Sequence, residues 1–219
     1  MSLTFDDGRA SQEVARGILA DHGLAATFYV NSGLVGGPGY LSWEQVDALA
    51  SAGHEIGGHT VSHPHLAEVP ADKARREIGA DREALLGRGY AVTTFAYPYG
   101  EGHAEPAVRA AVQDSGYSIA RRAWGLLARG RPPAETIPPG DRWAVKTPDG
   151  VRADTALSAI QEMIETADRE GGGWVPLVFH DVGEGWGDEW TTPSETFDAL
   201  LGWLVERGTA VRTVAQVAG

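Results

Sequence analysis

A parallel α/β sheet or barrel is the fold class that this 219-residue chain predicts. Three observations carry it. Short apolar runs alternate with longer amphipathic ones from end to end, as βα units do. Residues 174–180 are continuously apolar up to His180, as expected of a parallel strand covered on both faces. Asp6-Asp7, His59, Tyr97, Tyr99 and His180 all fall at the C-terminal ends of expected strands, the ends that gather on one face of a barrel.

Taken in order, residues 2–5 read as a short strand and 11–22 as a helix, with Ser11 as its N-cap and Gly23 past its end. Residues 26–30 are the second strand. Ser42-Trp43-Glu44-Gln45 has a capping-box pattern, in which Ser and Gln satisfy each other's orphan amides; the helix it opens stops at Gly53. Residues 54–59 form the next strand. A charged amphipathic helix spans 71–88, a strand 92–97, a helix 105–115 and a strand 117–121. Residues 132–150 are rich in Pro and Gly and read as an elaborated loop with a short strand at 143–146. A helix over 154–170, the apolar run, a helix over 192–207 and a closing strand at 210–214 complete the chain. No linker or internal repeat divides it, so residues 1–219 are expected to form a single domain.

Composition narrows the function. The formal net charge of -12 disfavours nucleic acid and anionic membrane surfaces as partners. There is no cysteine, which excludes disulfides and thiolate ligation, so any metal site must use His, Asp or Glu. No apolar run reaches the length of a membrane span. The first residues lack a basic segment followed by an apolar core, so no signal peptide is read here. Oligomeric state is not legible.

The chemistry concentrates in two places. Thr4-Phe5-Asp6-Asp7-Gly8 ends the first strand, and His59-Thr60-Val61-Ser62-His63 follows the third. An isolated Asp-Asp-Gly is more often a turn than a site, and a lone histidine pair four apart is a weak signal. Together, Asp7, His59 and His63 offer two imidazoles and a carboxylate to a divalent metal, and Asp6 is left beside them as a base. His65 is expected to turn away after Pro64, His54 to be structural, and His22 and His103 to lie at the surface.

The segments LTFDDG, HTVSHP, FAYPYG and LVFHD, in this order and spacing over residues 3–181, resemble the motifs of the polysaccharide deacetylases, carbohydrate esterase family 4 with its NodB-homology domain. The resemblance implies a distorted (β/α)7–8 barrel forming one catalytic domain. It implies a metal-dependent hydrolase that removes N-acetyl groups from amino sugars of a chitin-like or peptidoglycan-like polysaccharide or oligosaccharide. Under it Asp7, His59 and His63 hold the metal, Asp6 is the general base and His180 the general acid at the leaving amine. The Tyr99 N–H would help hold the oxyanion, Tyr97 would border the sugar and Leu177 would line the acetyl pocket. Trp186 and Trp190 lie in the loop after His180, where an exposed Trp suits stacking on a sugar face or anchors the loop itself. Zn2+ is the first choice for two His and one carboxylate, with Co2+, Ni2+ or Fe2+ compatible.

Two departures stand out. Ala96 occupies the position where many members carry an arginine that steadies the catalytic Asp; Arg142, Lys146 and Arg121 are the candidates to replace it. The fourth family motif, an Asp followed by Trp, has Asp141-Arg142-Trp143 as its nearest counterpart. Rival readings are an O-acetyl xylan esterase, a deacetylase of a small metabolite and, from another class, a carbohydrate-binding protein with a dead site. The resemblance implies an extracytoplasmic or secreted location, while the lack of a signal peptide keeps a cytoplasmic one open.

Overall fold

The computed structural model describes residues 1–127, 132–183 and 187–219. Seven strands form its main sheet: β1 (Ser2–Phe5), β2 (Thr27–Val30), β3 (Glu55–Gly58), β4 (Thr94–Ala96), β5 (Ile119–Gly125), β6 (Val145–Thr147) and β7 (Pro176–Phe179). They lie in the order β6-β5-β4-β3-β2-β1-β7, every neighbouring pair parallel. The two ends of this series curl toward each other. A backbone bond from Val151 N to Val178 O (2.8 Å) and an antiparallel bridge between Glu135 and Trp174 span the gap, so the sheet is a nearly closed barrel. A two-stranded ribbon, β8 (Asp181–Val182) with β9 (Thr191–Thr192), follows β7.

The helices are α1 (Gln12–Asp21), α2 (Trp43–Ser51), α3 (Ala71–Gly87), α4 (Pro106–Asp114), α5 (Leu157–Arg169), α6 (Ser194–Glu206) and α7 (Val214–Ala218). The two-residue period of the strands sorts their side chains into two layers. Leu3, Phe5, Phe28, Leu177 and Phe179 point outward and meet Leu19 of α1 and Phe197 of α6. Phe5 stacks on Phe28 at 4.7 Å and on Phe179 at 5.4 Å, with Phe197 edge-on at 5.7 Å. Burial of each such ring contributes roughly 1.5–3 kcal/mol. Tyr29, Ala96, Ile119, Val145 and Trp174 form a second, inner cluster. Asp6, Arg121 and His180 extend that inner parity toward the C-terminal mouth, which is why charged groups from distant segments meet there. Gly58 is required by packing, since a Cβ on it would lie 1.9 Å from the Tyr117 hydroxyl.

The capping box at Ser42 forms as expected: Ser42 N donates to Gln45 Oε1 (2.8 Å) and Gln45 N to Ser42 Oγ (3.3 Å). Two expectations fail. Ser11 makes no cap bond to α1; its hydroxyl donates to Asp181 instead. Residues 210–214 form no strand. They run beside Met1, with Arg212 N on Met1 O (3.0 Å), and then turn into α7 beneath a capping box at Thr213. Inner-layer polar groups hold that turn: Val214 N donates to Thr27 Oγ1 (3.0 Å) and Ala215 N to Glu55 Oε2 (2.9 Å). The residue pattern of 210–214 gave no hint that the chain crosses the N-terminal end of the barrel rather than joining its edge.

Candidate metal centre and active site

β1 delivers Asp6 inward, and the chain then turns sharply through Asp7 (φ 75°) and Gly8 (φ 66°). This left-handed pair is costly for a side chain at Asp7 and suited to glycine at Gly8, where a Cβ would also press on Val30 Cγ1 at 3.3 Å. Asp6 is paired with the Arg121 guanidinium, and both are almost fully buried. Arg121 sits on β5 in register with Ala96 of β4, and its guanidinium also lies over the Tyr29 ring at 4.6 Å. The arginine absent at Ala96 is therefore supplied by the next strand. The other two candidates are occupied elsewhere: Arg142 donates to Ser118 O (2.6 Å), and Lys146 pairs with Glu135 (3.4 Å).

His59 is fixed from three directions. Its backbone N donates to Asp81 Oδ2 (3.0 Å), its carbonyl accepts from Asn31 Nδ2 (2.5 Å), and its Nδ1 donates to Ala96 O (2.7 Å). The last bond places the proton on Nδ1 and leaves Nε2 as a lone-pair donor facing Asp7. His63, in a left-handed conformation (φ 58°), is held by its N–H on Thr60 Oγ1 (3.1 Å). Asp7 Oδ1 lies 3.2 Å from His63 Nε2 and 3.5 Å from His59 Nε2. One ligand atom each from Asp7, His59 and His63 falls within 4.8 Å of the others. Asp7 Oδ1 and His59 Nε2 are buried and form no hydrogen bond among the described residues. Such orphaned polar atoms are expensive unless something else satisfies them. The three donors converge on one point and match the oxygen and nitrogen preferences of a divalent cation, so the residues fit a metal.

Two neighbouring carboxylates dominate the electrostatics of the cluster. Burial opposes ionisation of Asp7, but the His59 imidazole, helped by His180 and His63, holds its carboxyl well below the usual range. Burial likewise works against His59, yet the charges of Asp6 and Asp7 raise it. His63 is pushed down to about 4 by burial and by neighbouring His59, so it is a neutral donor near pH 7.

A cavity of about 400 Å3 opens here, lined among others by Asp7, Arg9, Tyr40, His63, Tyr99 and His180. His180 forms one wall, with the Trp190 ring 4.8 Å away. Trp190 is in turn seated on Gly150, where a Cβ would meet it at 2.8 Å, and covered by Arg152 at 4.2 Å. Burial lowers the pKa of His180, against the pull of Asp6 and Asp7. Its Nδ1 is buried without a hydrogen-bond partner among the described residues. The Asp141 carboxylate, nearest counterpart of the fourth motif, is held by both terminal nitrogens of Arg109, at 2.8 and 2.6 Å. Tyr99 stands at the rim with φ 55°, its ring stacked on His65 at 3.7 Å, and His65 in turn bonds Glu101 (3.0 Å). His65 thus braces Tyr99 and stays outside the Asp7 cluster.

Asp6, Asp7, His59, His63, Tyr99 and His180 are brought together as the sequence suggested; two others are not. Leu177 is fully buried in the outer layer, opposite Leu3, because it is three residues from His180 and so on the other face of β7. Val178, two residues back, shares the inner face. Tyr97 is likewise turned outward, against Phe95 at 5.2 Å. Trp186 lies outside the described residues. Unforeseen were Asn31, Asp81 and Arg9, which hold backbone or carboxylate from neighbouring segments. A charged Asp81 in the middle of an amphipathic helix was the one visible signal.

A family profile described as polysaccharide deacetylase matches residues 1–120, more than half of the chain. The protein belongs to the polysaccharide deacetylase family. Among its curated relatives, a peptidoglycan-N-acetylglucosamine deacetylase of Bacillus cereus is 38% identical over 105 residues, 46% of this chain and 36% of the relative. A chitooligosaccharide deacetylase of Rhizobium leguminosarum bv. trifolii is 35% identical over 86 residues, 38% of each chain. The matched stretches therefore span little more than a third of these relatives. Among solved structures, the Bc1960 peptidoglycan N-acetylglucosamine deacetylase has a TM-score of 0.66 at 22% identity, covering 99% of this chain and 86% of that one. BA3943 of Bacillus anthracis, described as a pseudoenzyme, has a TM-score of 0.63 at 15% identity, covering 100% of this chain and 64% of that one. These similarities establish the fold. Since an inactive protein shares it, the site has to carry the function.

Proposed function

We propose that this protein is a metal-dependent carbohydrate N-deacetylase acting on amino sugars of a chitin-like or peptidoglycan-like chain. The observation that carries the reading is the convergence of Asp7, His59 and His63 beside a second carboxylate, Asp6, and across a cavity from His180. The named activities of the curated relatives support it. Zn2+ is the proposed occupant, with Co2+, Ni2+ or Fe2+ compatible with the same donors. Such a cation supplies Lewis acidity and a water of lowered pKa.

The remaining roles fall to the protein's own groups. Asp6, anchored by Arg121, accepts the proton of the attacking water. The Tyr99 N–H is proposed to steady the oxygen that becomes negative. His180 gives a proton to the departing nitrogen. An amine leaves poorly unprotonated, whereas an activated phenolate needs no such help. His180→Ala should therefore lower acetate release from chitooligosaccharides far more than hydrolysis of an aryl acetate, with bound metal unchanged. Equal losses on both substrates would remove the acid role. Absence of acetate release from chitooligosaccharide and peptidoglycan alike, with turnover of acetylated xylan, would replace N-deacetylation by esterase activity.

A further inference from the structure

Among the described residues, Arg9 reaches three carboxylates from one guanidinium. Its Nε donates to Asp7 Oδ2 (3.0 Å), and its Nη1 donates to Asp181 Oδ2 (2.6 Å) and to Asp188 Oδ2 (3.0 Å). Arg9 itself is nearly buried, and Asp181 is completely so. The second oxygen of Asp181 takes the Ser11 hydroxyl. The second oxygen of Asp188 accepts from the backbone N of Trp190 (2.9 Å), whose ring packs against His180. A planar fork has fixed donor directions, so these contacts constrain one another.

We propose that Arg9 is a positioning residue that couples the metal-binding carboxylate to the His180 wall of the cavity, an inference that rests on the deacetylase reading above. Its Nε donates to Oδ2 of Asp7, while Oδ1 is the oxygen turned toward His59 and His63, so Asp7 would offer Oδ1 to a cation. Its Nη1 joins the same guanidinium to Asp188 and through it to Trp190. A displaced Trp190 would free the His180 ring, and a displaced Asp7 would spread the ligand set. One side chain fixes both. Gln12 adds a parallel strap, donating to the carbonyls of Asp6 (2.5 Å) and His180 (3.0 Å).

Removing Arg9 alone would leave Asp181 buried and unpaired, so the test uses Arg9→Met with Asp181→Asn, beside the single variants Arg9→Lys and Asp188→Asn. Zn2+ affinity is measured by competition with a chelating dye, and the Co2+ absorption spectrum reports the ligand geometry. The double variant and Arg9→Lys should both bind Zn2+ about 10–100-fold more weakly, as outer-shell partners of metal ligands typically show. Their Co2+ spectra should differ from that of the unmodified protein. Asp188→Asn should keep metal affinity and raise KM for chitooligosaccharide. If the double variant does not fold, Arg9→Lys and Asp188→Asn decide. Unchanged Zn2+ affinity in every folded Arg9 variant would reduce Arg9 to a structural anchor and overturn the coupling alone. An unmodified protein that binds no Zn2+ would overturn the metal reading, and the coupling with it.

Discussion

The two ends of the barrel treat their carboxylates differently. At the N-terminal end, Glu55 is half-buried among donors: Thr27 Oγ1 (3.0 Å), the Thr94 hydroxyl and the backbone N of Ala215 (2.9 Å) all reach its carboxylate. At the C-terminal end, Asp7 Oδ1, His59 Nε2 and His180 Nδ1 are buried without hydrogen bonds among the described residues. The backbone follows the same division. Among the described residues, the non-glycine positions with positive φ are Asp7, Thr60, His63, Tyr99, Trp124 and Leu127, all beyond the C-terminal end of a strand except Trp124, the last residue but one of β5. Each costs of order 1–3 kcal/mol and persists only where its surroundings impose it. At the N-terminal end His54 Nε2 is the exception, buried without a hydrogen bond among the described residues. At the C-terminal end strain and several unmet polar atoms gather at the place where a ligand would meet them.

The largest effect that would sharpen this contrast is catalytic. Asp6→Asn should lower deacetylation by ~10²–10⁴-fold, the usual contribution of a general base, with metal content unchanged. Near-normal turnover would mean that another group takes the proton. Next comes the Asp6–Arg121 pair. Arg121→Met leaves Asp6 buried without its counter-charge and should cost on the order of 3–5 kcal/mol in urea unfolding, together with most of the activity. A variant as stable as the unmodified protein would show that Asp6 finds another partner.

The smallest effect belongs to the quiet end. His54 is buried, with Nδ1 accepting from Ala26 N (3.2 Å), and burial followed by the charge of Arg16 pushes its pKa down to about 4. A lowered histidine pKa means that the unfolded chain binds more protons between that value and the ordinary 6.5. Its stabilising neutrality is thus complete above about pH 6.5 and lost as pH falls toward 4, a penalty on the order of 3 kcal/mol. Asp81, raised to about 6 by burial, works in the opposite sense over the same window, so the comparison has to be a difference. Asn at position 54 keeps an acceptor near the Nδ1 position without the titration. The stability of His54→Asn relative to the unmodified protein should therefore improve steadily from about pH 7 to pH 4. A constant difference across that range would contradict the burial argument.

How much of this was readable in advance follows the same division. Strand and helix alternation, the capping box at Ser42 and the gathering of Asp6, Asp7, His59, His63 and His180 were legible, because period and motif order express them directly. The choice of Arg121 over Arg142 and Lys146 as the replacement for the missing arginine at Ala96 was not, since it depends on the register of β4 against β5. Leu177 and Tyr97 were misplaced for want of strict parity counting: one residue of shift along a strand exchanges the inner and outer layers. Arg9, Asp181 and Asp188 stayed invisible because their meeting joins segments some 170 residues apart. The turn of residues 210–214 into α7 was missed because the bonds that impose it come from Thr27 and Glu55, far upstream.

The central claim is that Asp7, His59 and His63 hold one divalent cation, and metal stoichiometry of the purified protein tests it most directly. After chelation and reconstitution with Zn2+, the unmodified protein should retain one equivalent, Asp6→Asn should retain the same, and His59→Ala and His63→Ala should retain little. Full occupancy in both histidine variants, or none in the unmodified protein, would contradict the account.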